Sequence, residues 1–236
     1  MKQPPLHPQT QTEETASAFD RWSGHWSGHY AQNGGMGGRI DRFVAALNDR
    51  VMDGARVLDF GCGTGEITRA LAAKGWLAEG CDMSAPMIDR ARNGSGTQLN
   101  WTTLLPEKPL PLPFEDEVFA AVISSSVFEY LASPEAVIAE VSRLLMPGGW
   151  FMFTVPDPRH PIRRKELKKA VLAKNQFFWR LIKLTRWESE FRYLRISVNR
   201  PDIAVWLRML SDAGFSVRDP GPCDDPLALL AAQKEG

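Results

Sequence analysis

No hydrophobic run in this sequence is long enough to cross a bilayer, and residues 1–15, MKQPPLHPQTQTEET, hold no apolar core of the kind an export signal needs. Neither membrane spanning nor export is expected. Cysteine is scarce, with three residues at 62, 81 and 223 that share no metal-ligand spacing, so no disulfide framework and no zinc site is expected. That usage suits a reducing, cytoplasmic location. An excess of charge of one sign is missing too. The 28 Lys and Arg balance 28 Asp and Glu, so composition implies neither a polyanion binder nor a disordered chain. The balance is uneven, however: residues 158–200 carry 13 basic against 3 acidic side chains, and the rest of the chain 15 against 25.

What is present is one organising stretch, VLDFGCGTGEIT at 57–68. Branched apolar residues suit a buried strand, and three glycines then lead into a helix over 66–74. Glycines at 61, 63 and 65 can adopt angles closed to other residues and let a ligand lie against the main chain. The Gly-x-Gly-x-Gly spacing differs from the Gly-x-Gly-x-x-Gly of dinucleotide turns, and no Gly-Lys-Ser/Thr follows as in a P-loop. Glu66, at the positive end of the helix, would repel a pyrophosphate, so the expected ligand is a nucleoside without one. Asp59 completes Asp-x-Gly-x-Gly-x-Gly. Asp82, 21 residues after Gly61 at the end of a second apolar strand over 76–81, can accept both hydroxyls of a ribose.

Four blocks, VLDFGCGTG (57–65), GCDMSAPMIDRAR (80–92), LPFEDEVFAAVISSSVFEYL (112–131) and EVSRLLMPGGWFMFTVP (140–156), carry a wider resemblance. In order and spacing the chain resembles the class I S-adenosylmethionine-dependent methyltransferases, most strongly the small-molecule branch of ubiquinone and menaquinone biosynthesis. The resemblance covers residues 39–156 and, more weakly, 201–234. It implies an α/β, Rossmann-like doubly wound sheet of seven strands in the order 3-2-1-4-5-7-6, with the last strand antiparallel. It also implies S-adenosyl-L-methionine as cofactor, held by Asp59, Gly61, Cys62, Gly63, Gly65, Asp82, Met83, Thr103 and Ser125. Thr103 enters because the aspartate that the family usually offers to the adenine after strand three is missing here.

The expected organisation is a mobile tail over 1–15 and one methyltransferase domain over 16–236, with a lid at 16–38 and a basic, aromatic helical cap inserted at 157–200. In the lid, WSGHWSGH places His25 and His29 at helical metal-ligand spacing, but Gly24 and Gly28 weaken a helix and no third ligand is near, so no metal is expected. By resemblance the lid covers the cofactor, and Trp26, His29 and Tyr30 line the acceptor site. Strand four ends in SSSVFEY. There Glu129 is the candidate general base and Tyr130 the candidate pocket wall, against a plainer reading in which both merely start a helix with Glu129 solvated. Ser133-Pro134-Glu135 predicts the start of the next helix, with Ser133 as its cap.

In the insert, Leu167, Val171, Phe178, Leu181 and Ile182 recur at helical spacing, with Phe177, Trp179, Trp187, Phe191 and Tyr193 adding aromatic surface. That suits a small, acidic or amphiphilic acceptor, or contact with an acidic membrane surface or carrier protein. Two other functions compete: nucleic-acid methylation and cofactor sensing without transfer. Nucleic acid is not expected, because SSSVFEY lacks the Asn/Asp-Pro-Pro-aromatic run that receives a flipped base.

Overall fold

The computed structural model describes all residues except 1–7, 31–35, 95–98, 174, 176–179, 183, 186 and 222–223. A seven-stranded sheet is ordered β3-β2-β1-β4-β5-β7-β6. Its strands are β1 (Arg56–Phe60), β2 (Leu77–Asp82), β3 (Asn100–Thr103), β4 (Phe119–Ser124), β5 (Leu145–Pro156), β6 (Phe215–Val217) and β7 (Leu227–Lys234). The first five run parallel, and β7 is antiparallel to both β5 and β6. This is the order and orientation that the resemblance implies.

Strand β1 lies inside the sheet because both its faces are apolar, and successive side chains enter opposite cores. Val57 joins Ala121, Ile123, Met152, Ile67 and Leu71 on one side, while Leu58 and Phe60 join Val122, Phe151, Phe153 and Trp206 on the other. Helices α2 (Gly37–Asn48), with Phe43 and Leu47 inward, and α3 (Glu66–Ala73) cover the first face. Helix α5 (Pro134–Leu144) and a later helix over Ile203–Asp212 cover the second. Helix α4 (Ala85–Asn93) follows β2, and Ser84 caps it by accepting from the Met87 N–H at 3.4 Å. Ser133 also occupies an N-cap position, but its side chain makes no capping hydrogen bond, so Pro134 with its preset φ marks that start.

The tail expected over 1–15 is ordered from Pro8, since α1 runs from Pro8 to Trp26. Polar composition misled there. Gln11 is buried, and its Nε2 donates to the Tyr130 carbonyl at 3.2 Å and the Ile196 carbonyl at 2.8 Å, so a polar side chain docks the helix. Gly24 lies inside α1, and a short 3-10 turn, Ser27–Tyr30, follows.

The insert carries α6 (Pro161–Ala173) and α7 (Glu188–Ile196), packed through Ala170, Phe191, Tyr193 and Leu194; the Ile203–Asp212 helix is then α8. Phe177, Phe178 and Trp179 lie outside the described residues, as does Cys223. Ile182 is buried, whereas Leu167, Val171, Leu181 and Trp187 are exposed. No described helix is long and apolar enough to cross a membrane.

Candidate active site

The site begins where β1 ends. Gly61 turns the chain at φ +75°, and the N–H groups of Gly61 and Cys62 both donate to the Cys81 carbonyl, at 2.8 and 3.0 Å, clamping the turn to the end of β2. The Gly63 N–H then donates to Asp82 Oδ2 at 2.9 Å, while Asp82 Oδ1 accepts from the Ser84 N–H at 2.8 Å. Two backbone donors therefore hold the Asp82 carboxylate toward the cavity above the turn. Burial pushes the Asp82 pKa up, and those two N–H groups oppose the rise.

The space saved at the glycines is occupied by the protein itself. A Cβ on Gly61 would stand 2.2 Å from Val127 Cγ2, and one on Gly65 would stand 2.4 Å from the Trp101 ring. At Gly63 the nearest atom is Nε1 of Trp26, at 3.1 Å, from the covering helix α1. The sequence pattern therefore marks a turn packed from three sides, with ligand access left above it.

Asp59, at the carboxyl end of β1, is 1% exposed. Its Oδ2 accepts from the Thr68 hydroxyl at 2.6 Å, but its Oδ1 has no hydrogen-bond partner. Burial, assisted by the Asp82 and Glu66 charges, pushes its pKa from 3.8 up to about 7, with Thr68 opposing. Ser125, whose hydroxyl lies beside that of Tyr30, borders the same cavity, and the orphaned Asp59 oxygen there can receive a donor of a bound ligand.

That cavity opens to solvent at its mouth. It brings together Asp59, Gly61, Cys62, Gly63, Asp82, Met83, Ser125, Trp26, Tyr30 and Tyr130 from the predicted set. Gly65 stays outside because Trp101 covers it. Thr103 is exposed and also outside, a correction to the expected adenine contact; Leu104, one residue further, forms that wall. Leu104 is held by its N–H donating to the Asp82 carbonyl at 2.8 Å. Residues that the sequence reading missed include Thr12, Thr15 and Phe19 of α1, whose two turns before Phe19 had been read as tail.

The covering helix is latched to the same elements. The Ser84 hydroxyl donates to Asp20 Oδ1 at 2.6 Å, and Phe19 packs edge-on against Tyr130 and Trp26. Burial raises the Tyr30 pKa to about 12 and pushes Tyr130 up as well, so both phenols stay protonated near neutrality.

A second, more open cavity of about 1220 Å³ adjoins the first and shares Trp26, Ser126 and Tyr130 with it. His25, His29, Arg39, Glu129 and Arg163 line it. Glu129 does not fit the solvated alternative, being 1% exposed. Its Oε2 accepts from Ser197 at 2.6 Å and Tyr193 at 3.2 Å and lies 3.6 Å from Arg200. Arg200 and Arg163 each reach Glu166 at 2.7 Å, which ties α6 to the residues after β4. Among the described residues no group of three or more His, Cys, Asp and Glu is placed to hold a metal ion.

Comparison with known proteins agrees with this geometry. Residues 58–153 match the family model described as a methyltransferase domain. Over 124 residues the chain is 32% identical to a malonyl-[acyl-carrier protein] O-methyltransferase of Legionella pneumophila, covering 52% of this chain and 42% of that protein. It is 35% identical over 106 residues to a ubiquinone biosynthesis O-methyltransferase of Xylella fastidiosa, covering 42% of this chain and 40% of the relative. The match thus spans less than half of these curated relatives. Magnesium protoporphyrin IX methyltransferase of Synechocystis PCC 6803, solved with bound S-adenosylhomocysteine, superposes with a TM-score of 0.68 at 20% identity, over 94% of this chain and 98% of that one. That likeness shows the fold.

Proposed function

We propose, on the match of residues 58–153 to a methyltransferase-domain model, that the chain is an S-adenosylmethionine-dependent methyltransferase of a small molecule, acidic or amphiphilic, seated in the second cavity. The observation that carries this is the Asp82 carboxylate, held toward the cavity by Gly63 and Ser84 N–H groups, beside an Asp59 oxygen left without a donor. In this reading Asp82 takes the ribose hydroxyls and Asp59 faces the cationic end of the cofactor. Met83 and Leu104 flank the base, while Cys62, Gly61, Gly63 and Ser125 contact it along the turn. The cofactor supplies an electrophilic sulfonium methyl.

The protein's own task is to align the acceptor and keep water out. Trp26, Phe19 and Tyr130 form the apolar partition between the two cavities, with Tyr30 closing the cofactor side. Glu129 serves as an anchor of the cap instead of a base, because its carboxylate is engaged by Ser197, Tyr193 and Arg200. His29, at the rim of the second cavity, meets the acceptor. The cap's exposed face, with Ile162, Leu167, Val171 and Trp187 among Arg164 and Lys165, suits an amphiphilic acceptor or the acidic surface of a membrane or carrier protein that presents it.

Titration calorimetry with S-adenosylhomocysteine tests the cofactor site. The wild type should bind, and Asp82→Ala should bind more than about tenfold more weakly, since charge-assisted hydrogen bonds to the ligand are lost. Equal affinities would remove Asp82 from the site, and no binding by the wild type would remove the function.

A further inference from the structure

We infer that the acceptor is a carboxylic acid, gripped through its carboxylate by Arg39 and methylated on oxygen to an ester; this rests on the methyltransferase reading above. Arg39, near the start of α2, lines the second cavity and is half-buried. Its Nη1 donates to Ser126 Oγ at 3.1 Å, and Ser126 is one of the three residues common to both cavities. The guanidinium therefore stands where an acceptor in one cavity meets a methyl group held in the other.

Charge pairing inside the second cavity singles this residue out. Three acids line it, and each already has a cation: Glu129 meets Arg200 at 3.6 Å, Glu166 meets Arg163 and Arg200 at 2.7 Å each, and Glu190 meets Lys169 at 2.7 Å. Among the described residues Arg39 has no carboxylate within 4.0 Å, and its one side-chain hydrogen bond leaves four donors for a ligand. Arg21, the other lining cation without an acidic partner, is exposed on α1. Ser126 is itself held for the purpose: its φ of +56° is unusual for a serine, and its N–H is fixed by donating to Thr154 Oγ1 at 2.9 Å. That backbone turn aims the hydroxyl at Arg39.

A planar guanidinium matches a carboxylate better than it matches a hydroxyl, an amine or a carbonyl. The proton inventory is consistent with a carboxylate without deciding it, since His25 and His29 also line this cavity. An alcohol or ammonium acceptor has to lose a proton during transfer, and Glu129, the acid nearest the partition, is committed to Ser197, Tyr193 and Arg200. Tyr30 and Tyr130 hold their protons at neutral pH. A carboxylic acid, with a pKa of about 4, arrives already ionised and needs no base. Its oxygen lone pair forms the new bond to the methyl carbon, the carbon–sulfur electrons stay with sulfur, and no proton changes hands. The acceptor's negative charge and the sulfonium's positive charge disappear together, leaving neutral ester and thioether.

The test is calorimetry on protein saturated with S-adenosylhomocysteine, titrated with octanoate, phenylacetate and indole-3-acetate, each beside its primary amide, and with 4-ethylphenol. Wild type should prefer at least one carboxylate over its amide by about tenfold or more, the usual scale for a lost charge-assisted pair. Arg39→Gln should abolish that preference while binding S-adenosylhomocysteine within about twofold of wild type, and Arg39→Lys, which keeps the charge and the fold if Gln does not, should retain part of it. The proposal is overturned if no carboxylate is preferred over its amide, if the phenol binds best, or if the preference survives in both variants. Failure of the wild type to bind S-adenosylhomocysteine would overturn the methyltransferase reading as well, so the two failures are told apart by the cofactor titration.

Discussion

Asp59→Asn is expected to stabilise the ligand-free protein near pH 8 and to destabilise it by about 1–3 kcal/mol near pH 4, where Asp59 is already neutral. Asp59 is 1% exposed, with one carboxylate oxygen bonded to Thr68 and the other to nothing. Its pKa is pushed from 3.8 up to about 7, chiefly by burial. A carboxyl whose folded pKa lies above its unfolded one binds its proton more tightly when folded. Stability is therefore greatest below about pH 4, falls as the pH climbs toward 7, and is level above that. At about 1.4 kcal/mol per pH unit, the full loss is about 4 kcal/mol. Asparagine escapes it while still accepting from Thr68, but its amide N–H groups then need acceptors, which returns about 1–3 kcal/mol. The net gain at pH 8 should be about 1–3 kcal/mol. Urea unfolding of wild type and variant at pH 4, 5, 6, 7 and 8 reads it directly, as a difference that favours the wild type at pH 4 and the variant at pH 8. A wild type as stable as the variant at pH 8, or a gap independent of pH, would refute the reasoning. Adding S-adenosylhomocysteine should narrow the gap, because the ligand's ammonium favours the ionised form that only wild type has.

Gly61→Ala should destabilise the protein by more than about 2 kcal/mol, because its Cβ would stand 2.2 Å from Val127 Cγ2 at a φ of +75°. Adding Val127→Ala should recover the steric part and leave about 1 kcal/mol of backbone strain, measured by chemical denaturation. Glu129→Gln should lower stability by up to about 3 kcal/mol, since Arg200 keeps Glu166 but loses one of its two acids. Its turnover should keep the wild-type pH profile, and loss of the acidic limb, where activity rises as a base gives up its proton, would restore Glu129 as a general base.

The sheet was readable in the sequence because its signal is local. Val57–Phe60 and Phe119–Ser124 are apolar on both faces, as parallel inner strands must be, Gly75 ends the helix after the first, and Pro147-Gly148-Gly149 follows shortly after the helix behind the second. Ser84 was readable as a cap for the same reason, since an N-cap acts within one turn. The stretch 8–15 was not, because its polar residues are ordered by distant partners: Gln11 reaches carbonyls 119 and 185 residues away in sequence. Composition reports what a segment can bury alone. It carries no record of the Tyr130 and Ile196 carbonyls waiting at the docking surface.

The site divides along the same line. Asp59, Gly61, Gly63 and Asp82 line one cavity, as their spacing suggests, because a strand end, a tight turn and a second strand end are fixed locally. Thr103 lies outside that cavity and its neighbour Leu104 lines it, since one step along an extended chain turns a side chain to the opposite face. Charge along the insert is legible only in part. An excess of 10 basic residues over 158–200 suggested that the insert itself attracts an acidic acceptor, yet Arg163 and Arg200 turn inward onto Glu166 and Glu129. Counting charges along a chain cannot tell a paired cation from a free one, and pairing decides which of them a ligand meets. In the second cavity the half-buried cation left for a ligand is Arg39, 119 residues before the insert begins and in a stretch whose charge is unremarkable. On the proposal made above, recognition of an acid would therefore be concentrated where the sequence is quiet, while the conspicuously basic segment spends part of its charge on Glu166 and Glu129.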